Sequence, residues 1–497
     1  MGSSKSIAKG VAWTTIVNIV NGVYGFVSVP ILIAYFGKSD YGLIGLAMSV
    51  NVYLRLMDLG FSSTNVRYFS NWLAKKDYAN VNGLFRTSLS FYGMLGILNA
   101  IILLAISVFS NSIFNVSSGQ DVIVKHLFYI LSISAFISWY TSCFDQLVKA
   151  NELVGWTQKM TLLPKFAQII ILILTVTIGF NIEWYYALTA FSMFLILPFM
   201  VRKIKRLCPY ISFIPSFDTK IFKEVLPYSL NIFSFGLFQF SIVNLRPIFL
   251  GIQSTPDSIT DYRILDGIVR IVMMLGGAFM GVFLPSASKV VAMHNQAAQD
   301  QITYQGTKFI TIAICFCSFG MMSVSTEMLT VYVGKEYLYL TIWLDLWLLA
   351  TLATHNQAIS SLIFAGSNIR AITCCSIIAS IIGLLVTWLL IPLYDVGATV
   401  IGFFIYCMIQ ILFYYLYYWP RVMQINSSKV FFSSFLPYVL AGCIICIGLR
   451  VIEFESMNYW IAIFLKGGVF SVAFALITYV LLDNDDKQFI KKLLQKS

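Results

Sequence analysis

The sequence predicts an all-α polytopic membrane protein, and three observations carry that prediction. Only 11% of the 497 residues are charged, 59% are hydrophobic, and mean hydropathy is +0.81. Soluble domains run about 25% charged, and a soluble core could not bury this much apolar surface. The apolar residues fall into fourteen runs, each as long as the roughly 17–25 residues that cross a bilayer. Finally, Lys and Arg alternate between successive connections in the pattern of cytoplasmic and external loops.

The first run, 10–36, follows the short basic opening MGSSKSIAK. It is too long for a signal-peptide core, so it is predicted as a retained span. Five more follow at 41–66, 84–109, 123–148, 156–180 and 184–201. The longest connection, basic and proline-containing, then divides the chain. Six runs come after it, at 225–250, 263–289, 305–333, 341–366, 370–394 and 397–420, and a last pair lies at 429–452 and 458–482. The predicted organisation is an N-terminal lobe (1–201), a basic cytoplasmic linker (202–224), a C-terminal lobe (225–420), two added helices (421–482) and a tail (483–497). Twelve spans is the fallback if the last pair does not cross.

The charges test this count. With the N-terminus inside, 24 of the 33 Lys and Arg residues fall on inside segments. Five (Lys38, Lys125, Arg263, Lys335, Arg450) lie at outside ends, and four (Arg55, Arg246, Arg270, Lys466) lie within runs. That asymmetry predicts cytoplasmic N- and C-termini. It also accounts for the formal net charge of +11 without a nucleic-acid partner; anionic membrane lipids suffice. A weak internal repeat at a shift of 217 pairs Pro30 with Pro247, Asp40 with Asp257, Met57 with Met274 and Gly60 with Gly277. Two related bundles around a midplane site are a common transporter plan.

Motifs for catalysis are missing. Gly37-Lys38-Ser39 ends like a phosphate-binding loop, but position 32 is Leu where that loop needs Gly. The three histidines (His126, His294, His355) form no zinc motif. Asp483-Asn484-Asp485 reads as a solvated helix start rather than a sugar-transferase motif. Most of the nine cysteines sit in apolar runs, and Cys443-x-x-Cys446 reads as small apolar residues on one helix face. No cofactor, metal or enzymatic activity is expected. The short external loops argue against a polysaccharide polymerase.

Polar residues inside the runs remain to be explained. A charge at a helix centre in hydrocarbon costs roughly 2.5–3.5 kcal/mol on insertion scales, so it needs a partner, a wetted cavity or a ligand. In the first run Thr14, Asn18, Asn21, Gly25 and Ser28 make one stripe, either a packing face or a cavity wall. In the second, Arg55 and Asp58 are three apart and Asn51 lies one turn earlier. In the eighth, Asp266 and Arg270 are four apart. Each pair can neutralise itself within its helix or serve a ligand. Arg246, near an outer end, and Lys466 can snorkel to the interface. Asp345, His355, Asn356 and Gln357 fall in the tenth run. Asp345 and Asp145 are candidate cation sites, with Asp58 and Asp266; Asp145 has Lys149 four residues on, which favours a local pair. The aromatic run Phe413–Trp419 reads as an interfacial belt. An arginine in a cavity binds phosphate bidentately and keeps its proton, so this inventory favours an anionic substrate.

The first seventy or so residues carry a resemblance. The opening SIAKGVAW, then PILIAYFG from Pro30, DYGL from Asp40 and MDLGFSSTNVRYFS from Met57 resemble Wzx-type oligosaccharide flippases. These form the polysaccharide transporter branch of the multidrug/oligosaccharidyl-lipid/polysaccharide (MOP) exporter superfamily. The resemblance implies two six-helix bundles around a central cavity, plus two extra helices. It implies a substrate of undecaprenyl diphosphate bearing an oligosaccharide repeat unit of O-antigen (lipopolysaccharide) or capsule type. That substrate is flipped from the cytoplasmic to the periplasmic leaflet of a bacterial inner membrane, by alternating access driven by H+ or Na+. It also implies a polysaccharide polymerase and a chain-length regulator as candidate partners. On the residue reading, Arg55 and Arg270, with Arg246, hold the diphosphate, and Asn18, Asn21, Asn51 and Asn356 meet the sugar. A lipid II flippase and a drug/cation antiporter of the same superfamily are the alternatives.

Overall fold

The computed structural model describes residues 4–293, 295–366, 370–452, 458–484 and 486–487. His294, Asp485 and the tail lysines Lys491, Lys492 and Lys496 lie outside the described residues. Among those described, the regular structure is helical throughout. Among the described residues, eleven helices are long and apolar enough to cross a membrane, and up to thirteen spans result when two bent helix pairs count as one each. The remaining predicted span, 263–289, lies within a single 37-residue helix, Pro256–Ala292. Both members of the last pair, Ser427–Val451 and Tyr459–Leu481, meet the length and hydropathy of a span.

The chain forms two compact units, Met1–Arg263 and Ile264–Ser497. In the first unit α1 (Ser4–Phe36) leads through Gly37 into α2 (Lys38–Leu54), a short 3-10 turn (Arg55–Asp58) and α3 (Phe61–Ala74). Next come α4 (Tyr78–Val108), α5 (Ser118–Ala150), α6 (Val154–Leu174), α7 (Ile182–Ser192) and α8 (Leu197–Leu207). After the basic connection come α9 (Thr219–Asn244), α10 (Arg246–Gln253) and the start of α11 (Pro256–Ala292). α5 is the centre: α2, α3, α4, α6, α7 and α8 all pack on it. Val81, Leu84, Phe85, Leu89 and Tyr92 of α4 are fully buried, as are Leu127 and Phe128 of α5.

The basic connection is an ordered strap on the first unit. Asn82 Oδ1 accepts from the Ser212 amide at 2.8 Å, Arg86 Nε donates to the Ile214 carbonyl at 3.0 Å, and Thr87 Oγ1 accepts from the Asp218 amide at 3.1 Å. The Phe213 ring meets Phe85 and Phe144 edge-on at 5.5 and 5.8 Å. Asp218 then caps α9 by accepting from the Lys220 and Ile221 amides. α9 packs on α3 and α4, and α10 on α2.

In the second unit α12 (Thr307–Ser323), α13 (Ser325–Tyr332), α14 (Thr341–Thr351) and α15 (Gln357–Gly366) precede the pair α16 (Arg370–Tyr394) and α17 (Val396–Phe413). α18 (Leu436–Val451) and α19 (Tyr459–Leu481) close the chain and both pack on α12. Four ion pairs, made by three cations, fasten them and the segment that follows. Arg450 Nη2 lies 2.5 Å from Asp345 Oδ2, Lys466 Nζ 2.6 Å from Glu327 Oε1, and Lys308 Nζ 2.5 Å from Asp486 Oδ2 and 2.9 Å from Asp483 Oδ2. Lys466 therefore does not snorkel. Asp483 is the expected exposed residue at a helix start, its carbonyl accepting from the Lys487 amide, and its side chain also reaches Lys308.

The aromatic run also departs from expectation. Tyr414–Val422 is a π-helical stretch. It turns Tyr418 and Trp419 into a core with Ile359, Ile363, Ile372 and Val430. Leu416 and Tyr417 stay exposed, so of this run only part is free to face a membrane interface. His355 is buried: its Nδ1 lies 2.7 Å from the Leu352 carbonyl and its Nε2 2.8 Å from the Tyr415 hydroxyl. The thiols of Cys443 and Cys446 are free, Cys446 being buried.

Candidate functional site

The second span is broken. α2 and α3 meet at 45° because Leu59 and Gly60 both hold left-handed backbone, at φ 51° and 76°. A side chain at Gly60 would be strained at that φ, and its Cβ would sit 2.7 Å from the Ser229 carbonyl of α9. Ser229 Oγ in turn donates to the Leu59 carbonyl at 2.6 Å. The corresponding Gly277 lies inside the continuous α11, so the break is not repeated there.

The break redirects Asp58. It caps α3: Oδ2 accepts from the Ser62 amide at 3.0 Å, and Oδ1 accepts from Ser62 Oγ at 2.9 Å and the Tyr92 hydroxyl at 2.8 Å. Gln146 of α5 donates to Tyr92 OH at 2.8 Å and to Ser62 Oγ at 3.0 Å. Asn65 donates to Gln146 Oε1 at 2.8 Å and Ser88 Oγ at 2.9 Å. The intrahelical Arg55–Asp58 pair does not form. Arg55 is exposed and donates to Ser138 Oγ at 3.3 Å. Among the described residues no carboxylate lies within ion-pair distance of it.

The other candidates fall differently. Asp266 and Arg270 pair at 2.5 Å, with the Arg270 side chain 61% exposed. Asp145 pairs with Lys149 at 2.5 Å, and Asp345 with Arg450. Arg246, expected to reach the interface, is 2% exposed and packs on the Tyr262 ring at 5.3 Å; the hydrophobic start of α10 carries it inward. Asn18 and Asn21 are exposed on α1, whereas Asn51 and Asn356 are half-buried. The structure brings Arg55 and Asp58 to one break, and Asp266 and Arg270 to one helix turn. It links none of the four asparagines to them by a described hydrogen bond. Sequence reading missed Ser62, Tyr92, Gln146 and Ser138. The D-L-G-F-S spacing, an acidic cap before a glycine turn, is the signal that points to Ser62.

A polytopic helical fold with a broken span is the architecture of a multi-pass membrane protein, and the comparisons narrow it. The model of the polysaccharide biosynthesis protein family matches residues 7–291, more than half of the chain, and the chain belongs to that family. No curated protein matches it in sequence. Its fold is that of MOP-superfamily transporters. It is similar to a lipid II flippase MurJ solved in an inward closed conformation, at 14% identity, covering 97% of this chain and 100% of that one, with a TM-score of 0.74. It is also similar to an inward-facing multidrug-resistance MATE family transporter of the MOP superfamily, at 14% identity over 87% and 96% of the two chains, TM-score 0.60. A third is the MATE multidrug transporter DinF-BH, at 13% identity over 84% and 96%, TM-score 0.56.

Proposed function

We propose that the protein is a flippase for undecaprenyl-diphosphate-linked oligosaccharide repeat units of O-antigen or capsule type, working in a bacterial inner membrane with both termini cytoplasmic. One observation carries the reading: Arg55 sits on an apolar span, exposed, with a hydroxyl for its hydrogen-bond partner and, among the described residues, no carboxylate within ion-pair distance. Such a guanidinium is too costly to leave in lipid and suits a diphosphate. Arg270 is the second candidate contact, sharing its charge with Asp266. Arg246 is too buried to join without rearrangement. The lobes 1–201 and 225–420 alternate access, and asparagines 18, 21, 51 and 356 meet the sugar. The lipid II reading rests on the likeness to MurJ and differs in the sugar carried. A drug/cation antiporter needs an available carboxylate; Asp145, Asp266 and Asp345 are each paired with a cation, which of the four candidates leaves Asp58, held by Ser62 and Tyr92, to serve it.

The test is complementation of a deletion strain. Loss of surface polysaccharide with single lipid-linked repeat units held on the inner face, rescued by wild type, supports the reading. Unchanged polysaccharide with altered drug tolerance contradicts it.

A further inference from the structure

We propose that Lys165, held by Gln168 and Tyr24, is an anion-binding residue at mid-depth of the first unit and takes an oxyanion of the carried head group. The proposal rests on the transport reading above and adds a residue and a charge count to it. Lys165 is the twelfth of the 26 residues in the span Val154–Gly179, and Tyr24 the twelfth of the 24 in the span Trp13–Phe36. The ammonium lies 4.4 Å from the centre of the Tyr24 ring, so it sits near the middle of both spans instead of reaching a helix end. A charge at that depth calls for a partner, a wetted cavity or a ligand. Its described partners are the Gln168 amide oxygen, at 2.8 Å, and the face of Tyr24. No carboxylate among the described residues lies within ion-pair distance of it.

Gln168 and Ser192 hold the lysine from buried positions, 5% and 6% exposed. Gln168 Nε2 donates to Ser192 Oγ at 3.4 Å, and Ser192 Oγ donates to the Thr189 carbonyl at 2.7 Å. That chain fixes the amide so that its oxygen faces Lys165. An ammonium has three N–H groups. One goes to Gln168 and the charge rests against Tyr24, which leaves N–H groups for an outside acceptor. Lys165 is half-buried, so such an acceptor can reach it. Packing alone is a weaker account, since an apolar residue of similar length would join α1 to α6 with no charge to desolvate. The charge count favours the head group. A diphosphate diester carries one negative charge on each phosphorus. Arg55, exposed and hydrogen-bonded only to a hydroxyl, matches one. Asp266 already offsets Arg270, so Lys165 is the better match for the other. A lysine is a compact point charge and also suits the carboxylate of an acidic sugar; the test separates these two sources.

The experiment measures binding to the full-length protein in lipid nanodiscs. The probes are undecaprenyl-diphosphate-N-acetylglucosamine, the same lipid diphosphate bearing a glucuronate-terminated disaccharide, and inorganic pyrophosphate. Lys165→Met and Lys165→Gln, neutral variants of different polarity, are expected to bind lipid about tenfold more weakly, the loss of one charge-assisted hydrogen bond. Lys165→Arg keeps most of the affinity. Equal loss for both lipids assigns the oxyanion to the diphosphate, and loss confined to the glucuronate lipid assigns it to the sugar. Unchanged affinity for both lipids in either folded neutral variant overturns the proposal. Pyrophosphate separates the proposal from the flippase reading. If pyrophosphate stabilises wild type against heat and not the neutral variants, while neither lipid binds or is flipped in proteoliposomes, the anion site stands and the flippase reading falls. Flipping that is equal in wild type and both neutral variants keeps the flippase reading and removes the site. No effect of any probe removes both.

Discussion

Lys466 Nζ meets Glu327 Oε1 at 2.6 Å, across 139 residues of chain, with the two side chains only 7% and 13% exposed. The pair fixes α19 to α13 inside the second unit. Removing one partner strands a buried charge, which costs about 3–5 kcal/mol. Lys466→Ala is therefore expected to lower the thermal unfolding temperature of the purified protein sharply. Lys466→Met with Glu327→Leu, which removes both charges, is expected to recover most of it.

Gly60 is the tightest point of the break. Gly60→Ala places a Cβ 2.7 Å from the Ser229 carbonyl at φ 76°. A left-handed non-glycine residue held under constraint costs of order 1–3 kcal/mol, before the clash is counted. Unfolding and transport should both suffer. Gly448→Ala, whose Cβ meets nothing within 4 Å and which lies in α18, away from the candidate site, is the matched control and should leave both near wild type.

Asp345 was a candidate cation site from sequence, and its pairing with Arg450 argues for a structural part. Arg450 also donates to the Met322 carbonyl and Ser325 Oγ. Asp345→Ala should destabilise by less than the roughly 3–5 kcal/mol of a fully buried pair, because Arg450 is 37% exposed, while transport per folded molecule keeps its response to a pH gradient. Unfolding curves and flux normalised to folded protein separate the two.

The strap at 208–218 should resist proteases despite its loop-like composition. Phe213→Ala removes two aromatic contacts of about 0.5–1.5 kcal/mol each. Limited proteolysis is expected to cut the variant within the strap well before it cuts wild type.

Most of the architecture was legible because length and hydropathy alone mark a membrane span. The i,i+4 pairs Asp145–Lys149 and Asp266–Arg270 were legible because helix geometry fixes them. Of the two alternatives for Arg55 and Asp58, the self-neutralised pair fails for the opposite reason. Three-apart pairing assumes a continuous helix, and the left-handed Leu59-Gly60 step turns Asp58 into a cap for the next one. The strap hid behind its basic composition, since its order comes from α4 side chains 130 or so residues away. The pairings of Lys466, read as snorkelling, and of Arg450 and Lys308, counted only as outside and inside charges, were not legible because each partner lies more than 100 residues distant in sequence. No local pattern reports such contacts.

The measurement that tests the central claim most directly is flipping of undecaprenyl-diphosphate-N-acetylglucosamine by proteoliposomes of wild type, Arg55→Lys and Arg55→Ala, at matched folded protein. The account predicts that wild type moves the lipid, that Arg55→Lys keeps part of the rate because it keeps the charge without the bidentate fork, and that Arg55→Ala loses it. Equal rates for all three would contradict the placing of the diphosphate at Arg55.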